Sequence, residues 1–507
     1  ASFAGVQVNN ANSCWGYISP SGREYAIIGL YSGTGFVEIT DPANAQIVAH
    51  IVGPNSLWRD VKTHGTYCYA ISEAGGGIQI MNLSNIDGVS NRVVAVNFPT
   101  TPDGPIPTTA THTLAVNNES GRLYRSGGGN NGLRIYSLAN PESPAIIGHW
   151  TDRYVHEPQI VAYHTGPFAG KEIAFCCGGF GNGSTQTGLD ILDVTDPQNI
   201  VNLYPPRVFW SQAAYSHQIW LTEDRRYAYI NDELDEGNFG IPTRTIIVDV
   251  SFLLGGPGTI PFVAGTFTNN NPAVGHNLYT RDGLIFESNY RSGMRIFCYE
   301  DDPLSPSEIG FIDTYPNDDA ANFNGDWNNW PYFPSGTVIL SDIERGLFVV
   351  DVSEVRLSLE VAYPFVHPSF VTPSGTTTIR ANIGPTACGT ATVLADSATL
   401  HYDAGSGFLS VPMADIGGGD FEAAIGISNC GQVVSYYVTA QNQLGSQFVD
   451  PPDAPATTYS AVSGYGDVAV FTDDFQTNTG WTTAVVGATA GQWQRGVPVN
   501  DPNWEYD

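Results

Sequence analysis

The chain has 507 residues, of which only 14% are charged, and it contains 56 glycines and 33 prolines. Long amphipathic helices need a charged face, so this composition favours short strands joined by turns and predicts an all-β protein. The 50 acidic residues outnumber the 20 basic residues and give a formal net charge of −30, which argues against nucleic acid and anionic membranes as partners.

The start of the chain indicates secretion. No apolar run approaches the roughly 20 residues that a helix needs to span a bilayer. The chain begins Ala1-Ser2-Phe3, without an initiator methionine or a charged-then-apolar leader. This start is typical of a mature chain from which a signal peptide has been removed, so we expect an extracellular protein.

A repeated pattern occupies about the first two thirds of the chain. Each copy begins with an anchor residue, continues through two β-rich strands around a glycine turn, and closes with an aliphatic run that usually ends in Asp or Asn. The copies recur at intervals of roughly 40 to 60 residues, close to the period of propeller blades with loop insertions. The seven anchors are Trp15, Trp58, His112, His156, His217, His276 and Trp327.

Four strands in each of seven copies predict a seven-bladed β-propeller over residues 1–365. Radial closure would leave so many short strands without exposed edges. An open array of β-sandwiches is the alternative, but such an array would not require one period to be kept through seven copies.

The amino-acid sequences of the repeats resemble those of a known family. Gly346-Leu-Phe-Val-Val-Asp351 and Gly188-Leu-Asp-Ile-Leu-Asp193 resemble the LVIVD repeat, and Gly275-His-Asn-Leu-Tyr279 and Phe323-Asn-Gly-Asp-Trp327 resemble the choice-of-anchor B family. The resemblance covers roughly residues 14–352. It implies a secreted bacterial β-propeller that is held at the cell surface by a variable C-terminal anchor, and it implies no established activity. This chain differs in showing no C-terminal sorting signal.

Two further β domains are predicted after the repeats. A Pro-rich joint precedes residues 366–461, whose short alternating strands are typical of an immunoglobulin-like or fibronectin III-like sandwich. Residues 465–507 resemble the start of a third, jelly-roll-like β-sandwich, which is too short to fold alone. Because a partial sheet can donate a strand to another chain, we expect self-association through these C-terminal β domains.

The seven cysteines contain no CxxC pair, so a zinc ribbon is excluded. Cys388 and Cys430 are the two cysteines of the second predicted domain, and both lie on or near predicted strands. We therefore predict a disulfide between Cys388 and Cys430, as is common in secreted domains.

Four of the seven anchors are histidines, and the innermost strand of each blade lines the propeller channel. His112, His156, His217 and His276 should therefore meet near the channel axis, with Glu157 beside them. Neutral imidazole binds zinc, copper, iron or nickel, so this ring predicts a transition-metal site. Hydrogen bonding between blades and a small-ligand pocket are the alternatives. Further channel-lining candidates for ligand binding are Trp15, Trp58, Arg59, Asp60, Trp327 and Trp330.

An acidic turn in the fifth copy is the second candidate metal site. Asp232, Glu233, Asp235 and Glu236 bunch carboxylate oxygens, which Ca²⁺ prefers, although the spacing is not that of an EF-hand. A solvated hairpin tip, or ion pairs with nearby arginines such as Arg244, would equally explain these charges. Glu73 belongs to similar turns that we expect to form an acidic rim on one face.

No nucleophile elbow, phosphate loop or HExxH motif is present in the sequence. We therefore expect a secreted, cell-surface-associated binding or scaffold protein whose propeller presents a rigid face to an extracellular protein or polysaccharide. A metal-dependent extracellular enzyme is the alternative, and a lectin-like binder that stacks sugars on tryptophan is a third hypothesis.

Overall fold

The computed structural model describes residues 11–87, 94–97, 110–128, 131–179, 187–256 and 258–466, together with residues 480 and 482. Within these ranges the chain consists almost entirely of β-strands and turns, as its composition predicts. The chain divides into two compact units. The first unit comprises residues 1–360 and 385–392, and the second comprises residues 361–384 and 393–507.

The described part of the first unit contains seven antiparallel sheets, in each of which the strands follow one another in chain order. The strands of the first three sheets are β1 (Ala11–Ile18), β2 (Glu24–Leu30), β3 (Gly33–Glu38), β4 (Gln46–Val52), β5 (Arg59–His64), β6 (Tyr67–Ser72), β7 (Gln79–Asn82), β8 (Val94–Asn97), β9 (Thr113–Asn117), β10 (Arg122–Ser126), β11 (Asn131–Ser137) and β12 (Ala145–Tyr154).

The fourth, fifth and sixth sheets also have four strands each, whereas the seventh has three. Their strands are β13 (Glu157–Tyr163), β14 (Lys171–Gly178), β15 (Gly188–Asp193), β16 (Val201–Asn202), β17 (Ser216–Leu221), β18 (Tyr227–Asp232), β19 (Arg244–Asp249), β20 (Phe262–Thr268), β21 (Asn277–Arg281), β22 (Leu284–Ser288), β23 (Met294–Cys298), β24 (Ser307–Ile312), β25 (Asp326–Trp330), β26 (Thr337–Asp342) and β27 (Gly346–Asp351). Short helical turns are α1 (Asp235–Phe239) and two 3₁₀ segments, Pro42–Asn44 and Ser251–Leu254.

The sheets are arranged in a closed ring. The first strands of successive sheets contact one another in chain order, and β25 contacts β1. At this closure, Asn328 Nδ2 donates to the Cys14 carbonyl at 3.0 Å and to Ser13 Oγ at 3.2 Å. The described residues therefore form a β-propeller, and the open array of sandwiches is wrong.

Apolar side chains of neighbouring sheets form the core. Ile173 and Phe175 of β14 pack in one cluster with Ile230 of β18 and Ile246 of β19, for example. Strands β2, β15 and β18 are buried at every residue because both of their faces are covered by adjacent blades. This double coverage explains why the repeats contain continuous aliphatic runs instead of strict alternation.

Glycine at the start of the third strand of a blade has a steric cause. Gly132 and Gly293 have φ values of 101° and 72°. A Cβ atom there would lie 1.9 Å from the Trp150 carbonyl oxygen and 2.0 Å from the Ile312 carbonyl oxygen, respectively. The repeat therefore requires glycine where the third strand begins beside the fourth.

The second unit contains two sheets, one of strands β28, β30, β34 and β33 and one of strands β29, β37, β35, β31, β32 and β36. Buried and more exposed residues alternate along β30 and β35, as the sandwich prediction requires. The strands are β28 (Leu359–Ala362), β29 (Phe370–Val371), β30 (Thr378–Pro385), β31 (Thr399–Asp403), β32 (Leu409–Pro412), β33 (Ala414–Gly417), β34 (Asp420–Ala424), β35 (Val433–Gln441), β36 (Gln447–Asp450) and β37 (Tyr459–Ser463). Apart from residues 465, 466, 480 and 482, the predicted third domain lies outside the described residues.

The predicted disulfide between Cys388 and Cys430 is wrong. Cys388 is bonded to Cys298 of β23, with a Cα–Cα distance of 6.1 Å, while Cys430 is a free, exposed thiol. The reason is the path of the chain, because residues 385–392 leave the second unit and belong to the first. Sequence proximity placed Cys388 in the wrong unit.

Among the described residues, no helix combines the length and the apolar character that a membrane span requires.

Candidate functional site

Four imidazoles stand side by side at one end of the channel. His112, His156 and His276 immediately precede the inner strands β9, β13 and β21, and His217 is the second residue of β17. The ring centroids of successive histidines are 4.1, 4.4 and 4.2 Å apart. We call these four residues the histidine row. It exists because one anchor position recurs in four consecutive blades.

The ring nitrogens of the histidine row are close enough to share an ion. One ring nitrogen from each of His112, His156 and His217 lies within 4.8 Å of the other two. A second group of three, His217, Glu233 and His276, meets the same limit. The two groups share His217, so the five residues form one continuous set of nitrogen and oxygen ligands.

In three of the four histidines, an oxygen atom of another residue contacts Nδ1. His112 Nδ1 lies 2.6 Å from Glu73 Oε1, and His156 Nδ1 lies 2.8 Å from the Tyr215 hydroxyl. His276 Nδ1 contacts the carbonyl oxygen of Trp327. Each contact fixes a ring orientation and occupies Nδ1, which leaves Nε2 as the nitrogen that can bind a ligand.

The middle of the row is buried, and two of its ring nitrogens have no partner among the described residues. Within the described part of the chain, His156 Nε2 and His217 Nδ1 are buried and have no hydrogen-bond partner. Burial lowers the pKa of His156 well below its usual range, and the neighbouring imidazoles lower it further. Burial likewise lowers the pKa of His217 to about 3 and that of His276 to about 3. These three imidazoles are therefore neutral, which is the protonation state that binds metals.

Glu233 lies beside the last two histidines of the row. Its carboxylate oxygens lie 3.7 Å from His217 Nε2 and 3.6 Å from His276 Nε2. The Tyr290 hydroxyl donates to Glu233 Oε1 at 2.8 Å and so orients the carboxylate. The sequence analysis assigned Glu233 to a calcium loop, whereas the structure places it beside the imidazoles.

The other three carboxylates of the acidic turn have separate protein partners. Asp232 accepts the Ala214 backbone N–H at 2.9 Å, and Asp235 pairs with Arg244 at 2.6 Å. Glu236 accepts the Gly275 backbone N–H at 3.1 Å. The ion pair with Arg244 was one of the alternatives drawn from the sequence. Calcium at this turn stays a prediction.

Glu157, the acidic neighbour in the predicted ring, belongs to neither group of ligand atoms. It follows His156 directly and is the first residue of β13, so its side chain leaves the strand on a different side. It lines a small chamber of about 20 Å³ together with His112, His217 and His276, so it lies near the row without joining either group. That volume has room for a single water molecule.

Asp60 and Arg59 link blades instead of offering free ligand groups. Asp60 pairs with Lys62 Nζ at 2.7 Å and also accepts from Ser13 Oγ at 2.7 Å and from the Leu114 backbone N–H at 2.8 Å. Arg59 Nε donates to the Leu30 carbonyl at 3.1 Å. These contacts join three consecutive blades below the histidine row.

The four predicted ligand-binding tryptophans are divided between the two ends of the channel. Trp58 and Trp327 line a cleft of about 400 Å³ at the histidine end, together with Glu233, Tyr290 and Phe323. We call this the upper cleft. Trp15 and Trp330 line a cavity of about 700 Å³ at the opposite end, where the inner strands finish. We call this the lower cavity.

Sequence reasoning missed the tyrosines of the site. Tyr215 and Tyr290 come from loops before β17 and after β22, and no repeat position marks them. Glu73 was assigned only to a general acidic rim, yet it contacts His112 directly. Recurrence of histidine in the repeat was the one signal strong enough to identify this end of the channel.

No family model and no curated protein matches the chain. Similar solved structures include Kuenenia stuttgartiensis hydrazine synthase, with 11% identity, a TM-score of 0.45, and coverage of 70% of this chain and 99% of that chain. The Pseudomonas aeruginosa periplasmic gluconolactonase PpgL has 10% identity, a TM-score of 0.44, and coverage of 66% and 89%, respectively. Saccharomyces cerevisiae Sqt1 has 11% identity, a TM-score of 0.41, and coverage of 66% and 83%.

Proposed function

We propose that the protein is a secreted, surface-associated binding propeller that holds a transition metal ion in the histidine row. The observation that carries this proposal is the set of oxygen atoms that contact Nδ1 of three histidines. Glu73, Tyr215 and the Trp327 carbonyl each occupy Nδ1 of one imidazole. Metal-binding histidines are held in this way by carboxylates, carbonyls or water through the ring nitrogen that does not bind the ion.

Hydrogen bonding between blades explains the row less well. Such a structural role would give each buried ring nitrogen a partner, because buried polar atoms are almost always satisfied. His156 Nε2 and His217 Nδ1 have none among the described residues. A bound ion would satisfy at least one of these nitrogens without adding a hydrogen bond.

The ligand set favours particular metals. Imidazole nitrogens with one carboxylate suit zinc, copper, iron or nickel, whereas calcium and magnesium prefer oxygen ligands. His112, His156 and His217 would supply three nitrogens, and Glu233 with His276 would complete or share the site. The ion would polarise a bound water or substrate atom.

Secretion and attachment to the cell surface rest on the resemblance to the choice-of-anchor B family. The disulfide between Cys298 and Cys388 is compatible with that location, since such bonds persist in oxidising compartments. The partner would be an extracellular protein or a polysaccharide, and the C-terminal β domains would mediate self-association.

A metal-dependent extracellular enzyme is the second candidate function. The upper cleft favours it, because its walls include Glu233, a member of the ligand set, beside the aromatic rings of Trp58, Tyr290 and Trp327. A small substrate in the cleft would therefore be able to reach an ion in the row. Turnover that disappears when the metal is removed would distinguish this function from binding alone.

Metal analysis of the full chain tests the leading proposal. Protein purified without chelator, and apo-protein titrated with Zn²⁺, Cu²⁺, Ni²⁺ or Fe²⁺, should bind one of these ions at a fixed stoichiometry. His156→Ala and His217→Ala should lose the ion while keeping the β-sheet circular dichroism spectrum. His164→Ala is the matched control, because His164 is an exposed surface histidine paired with Glu119.

Two results would overturn the proposal. One is that the apo-protein takes up none of the four ions, although its fold is intact. The other is that His164→Ala removes as much metal as His156→Ala, which would show that binding is unrelated to the row.

A further inference from the structure

The lower cavity is a second site, and the small central chamber, which His112, His217 and His276 also line, lies between it and the histidine row. It opens where β1, β5 and β9 end, and its volume of about 700 Å³ is typical of small-molecule sites. Lys62 and Glu157 form its floor, because both also line the small central chamber. Nothing in the proposed metal site requires this cavity.

Aromatic rings form the wall of the lower cavity. Trp15 and Trp330 lie 6.0 Å apart at an interplanar angle of 57°, and Trp330 meets Tyr332 edge-on at 5.5 Å. Trp220 is braced edge-on against Tyr279 at 4.7 Å. The rings of Trp15, Trp220 and Tyr332 are only partly buried, so ring surface remains available to a ligand.

Close packing of the backbone against Trp330 keeps the aromatic rings in these positions. A Cβ atom on Gly16 would lie 2.1 Å from the Trp330 ring, so the backbone of β1 approaches the indole as closely as glycine allows. Packing of this kind fixes the ring orientation before a ligand binds, which reduces the entropy that binding must lose.

Polar groups interrupt the aromatic wall. The Gln159 side-chain oxygen accepts the Leu221 backbone N–H at 2.9 Å, and its amide nitrogen has no partner within the described ranges. His64 Nδ1 contacts Asn118 Oδ1 at 2.8 Å, which leaves Nε2 for another group. The Glu157 carboxyl group also lines the cavity. An amide, an imidazole and a carboxyl group can together donate to and accept from hydroxyl groups.

The charges in and around the cavity select against charged ligands. The Lys62 ammonium is paired with both oxygens of Asp60, at 2.7 and 2.9 Å, so it is not a free anion-binding group. The same ammonium lies 4.6 Å from the Trp15 ring centroid, where it would repel an organic cation that binds to the face of that ring. The formal net charge of −30 further disfavours anions.

A purely apolar ligand is also a poor fit. Gln159, His64 and Glu157 would lose water without gaining hydrogen bonds, and leaving a buried polar group unpaired is unfavourable. The remaining class is an uncharged molecule with both hydroxyl groups and apolar C–H faces. Sugar rings have this character, since their C–H faces stack on indole while their hydroxyl groups bond to amides and carboxyl groups.

We propose that the lower cavity binds a neutral carbohydrate of about the size of a mono- or disaccharide, stacked on Trp220 and Trp15 and hydrogen-bonded to Gln159 and His64. No residue of the candidate metal-ligand set lines this cavity, which would give a surface-attached propeller a second, sugar-directed contact.

Titration of the full chain with saccharides tests this proposal. Glucose, galactose, N-acetylglucosamine, maltose, cellobiose and N,N′-diacetylchitobiose are added while tryptophan fluorescence and heat are recorded. We expect at least one of them to bind with a dissociation constant in the millimolar range or tighter. Trp220→Ala should weaken this binding at least tenfold, and Gln159→Ala should weaken it severalfold.

A second variant, which blocks the cavity, keeps the proposal testable if Trp220→Ala fails to fold. Thr63 lines the cavity and is partly exposed, so Thr63→Trp fills the space without removing an existing aromatic contact. It should abolish sugar binding and leave metal content unchanged. Phe262→Ala is the matched control, because Phe262 is an aromatic residue of β20 outside the channel that is 50% exposed.

The proposal is overturned if none of the six saccharides binds at millimolar concentration. It is also overturned if a saccharide binds and Thr63→Trp binds it equally well, since the sugar would then occupy another site, such as the upper cleft.

Discussion

Glu73, in the turn after β6, reaches across a blade boundary and holds His112 Nδ1 at 2.6 Å. The carboxylate comes from the second sheet and the imidazole from the third, so a contact between blades also orients a candidate metal ligand. The Glu73 side chain is about one third exposed, whereas His112 is mostly buried. The orienting group is therefore accessible to mutation with little disturbance of the core.

Glu73→Gln should lower metal affinity about 10- to 100-fold, which is the usual effect of removing a carboxylate behind a metal-binding histidine. The amide keeps the shape of the side chain but not its charge, so the thermal unfolding midpoint of the apo-protein should change little. Competition with a chelating dye measures the affinity.

Glu119→Gln is the control for Glu73→Gln. Glu119 pairs with the exposed His164 at 2.9 Å, so the same chemical change is made beside a histidine outside the row. Equal affinities for the Glu73→Gln variant and the unaltered protein would contradict an orienting role for Glu73.

The histidine row was predictable because histidine recurs at one position of the sequence repeat. The residues that contact these histidines from the loops were not predictable. The repeat aligned His112, His156, His217 and His276, and propeller topology then required their proximity. Tyr215 and Glu73 come from loops of different length, whose paths no repeat specifies. Glu157 was assigned to the row by adjacency, although neighbouring residues of a strand point in different directions.

The disulfide error has a physical origin of the same kind. Propeller architecture follows from local patterns repeated along the chain, but residues 385–392 cross from one compact unit to the other without a local signal. Pairing of Cys388 with Cys298 therefore depends on a long-range path that the spacing of cysteines does not encode.

Cys388→Ser should lower the free energy of unfolding of the propeller by about 2–4 kcal/mol, because the bond closes a loop with a sequence separation of 90 residues. Cys430→Ser, the control, should leave stability unchanged, since that thiol is exposed and unbonded. Denaturant unfolding measures both variants. Peptide mapping without reductant should find Cys298 and Cys388 joined. A joined pair of Cys388 and Cys430 would restore the sequence-based prediction.

Gly293→Ala should be strongly destabilising, by about 2 kcal/mol or more, because the added methyl group meets the Ile312 carbonyl oxygen at 2.0 Å and φ is 72°. Gly237→Ala is the matched control. Gly237 lies in α1 with no atom within 4 Å of a built Cβ, so alanine should be neutral or slightly stabilising. Equal unfolding midpoints for the two variants would show that the repeat glycine has no steric role.

Glu287 makes the stability of the propeller depend on pH. Burial raises the pKa of this carboxyl group to about 7, although Thr245 and Asn231 donate to it. The unfolded chain releases this proton near pH 4.5. The contribution of neutral Glu287 is therefore fully present below pH 4.5 and is lost as the pH rises through about 7.

Glu287→Gln should remove this dependence. The amide stays neutral at every pH, so the variant should gain on the order of 3 kcal/mol relative to the unaltered protein between pH 4.5 and pH 7. Urea unfolding at several pH values measures the difference. Glu38→Gln, a change at a partly exposed carboxylate that pairs with Arg23, serves as the control and should show no such gain. A constant difference between the Glu287→Gln variant and the unaltered protein across this range would mean that Glu287 is already ionised in the folded state.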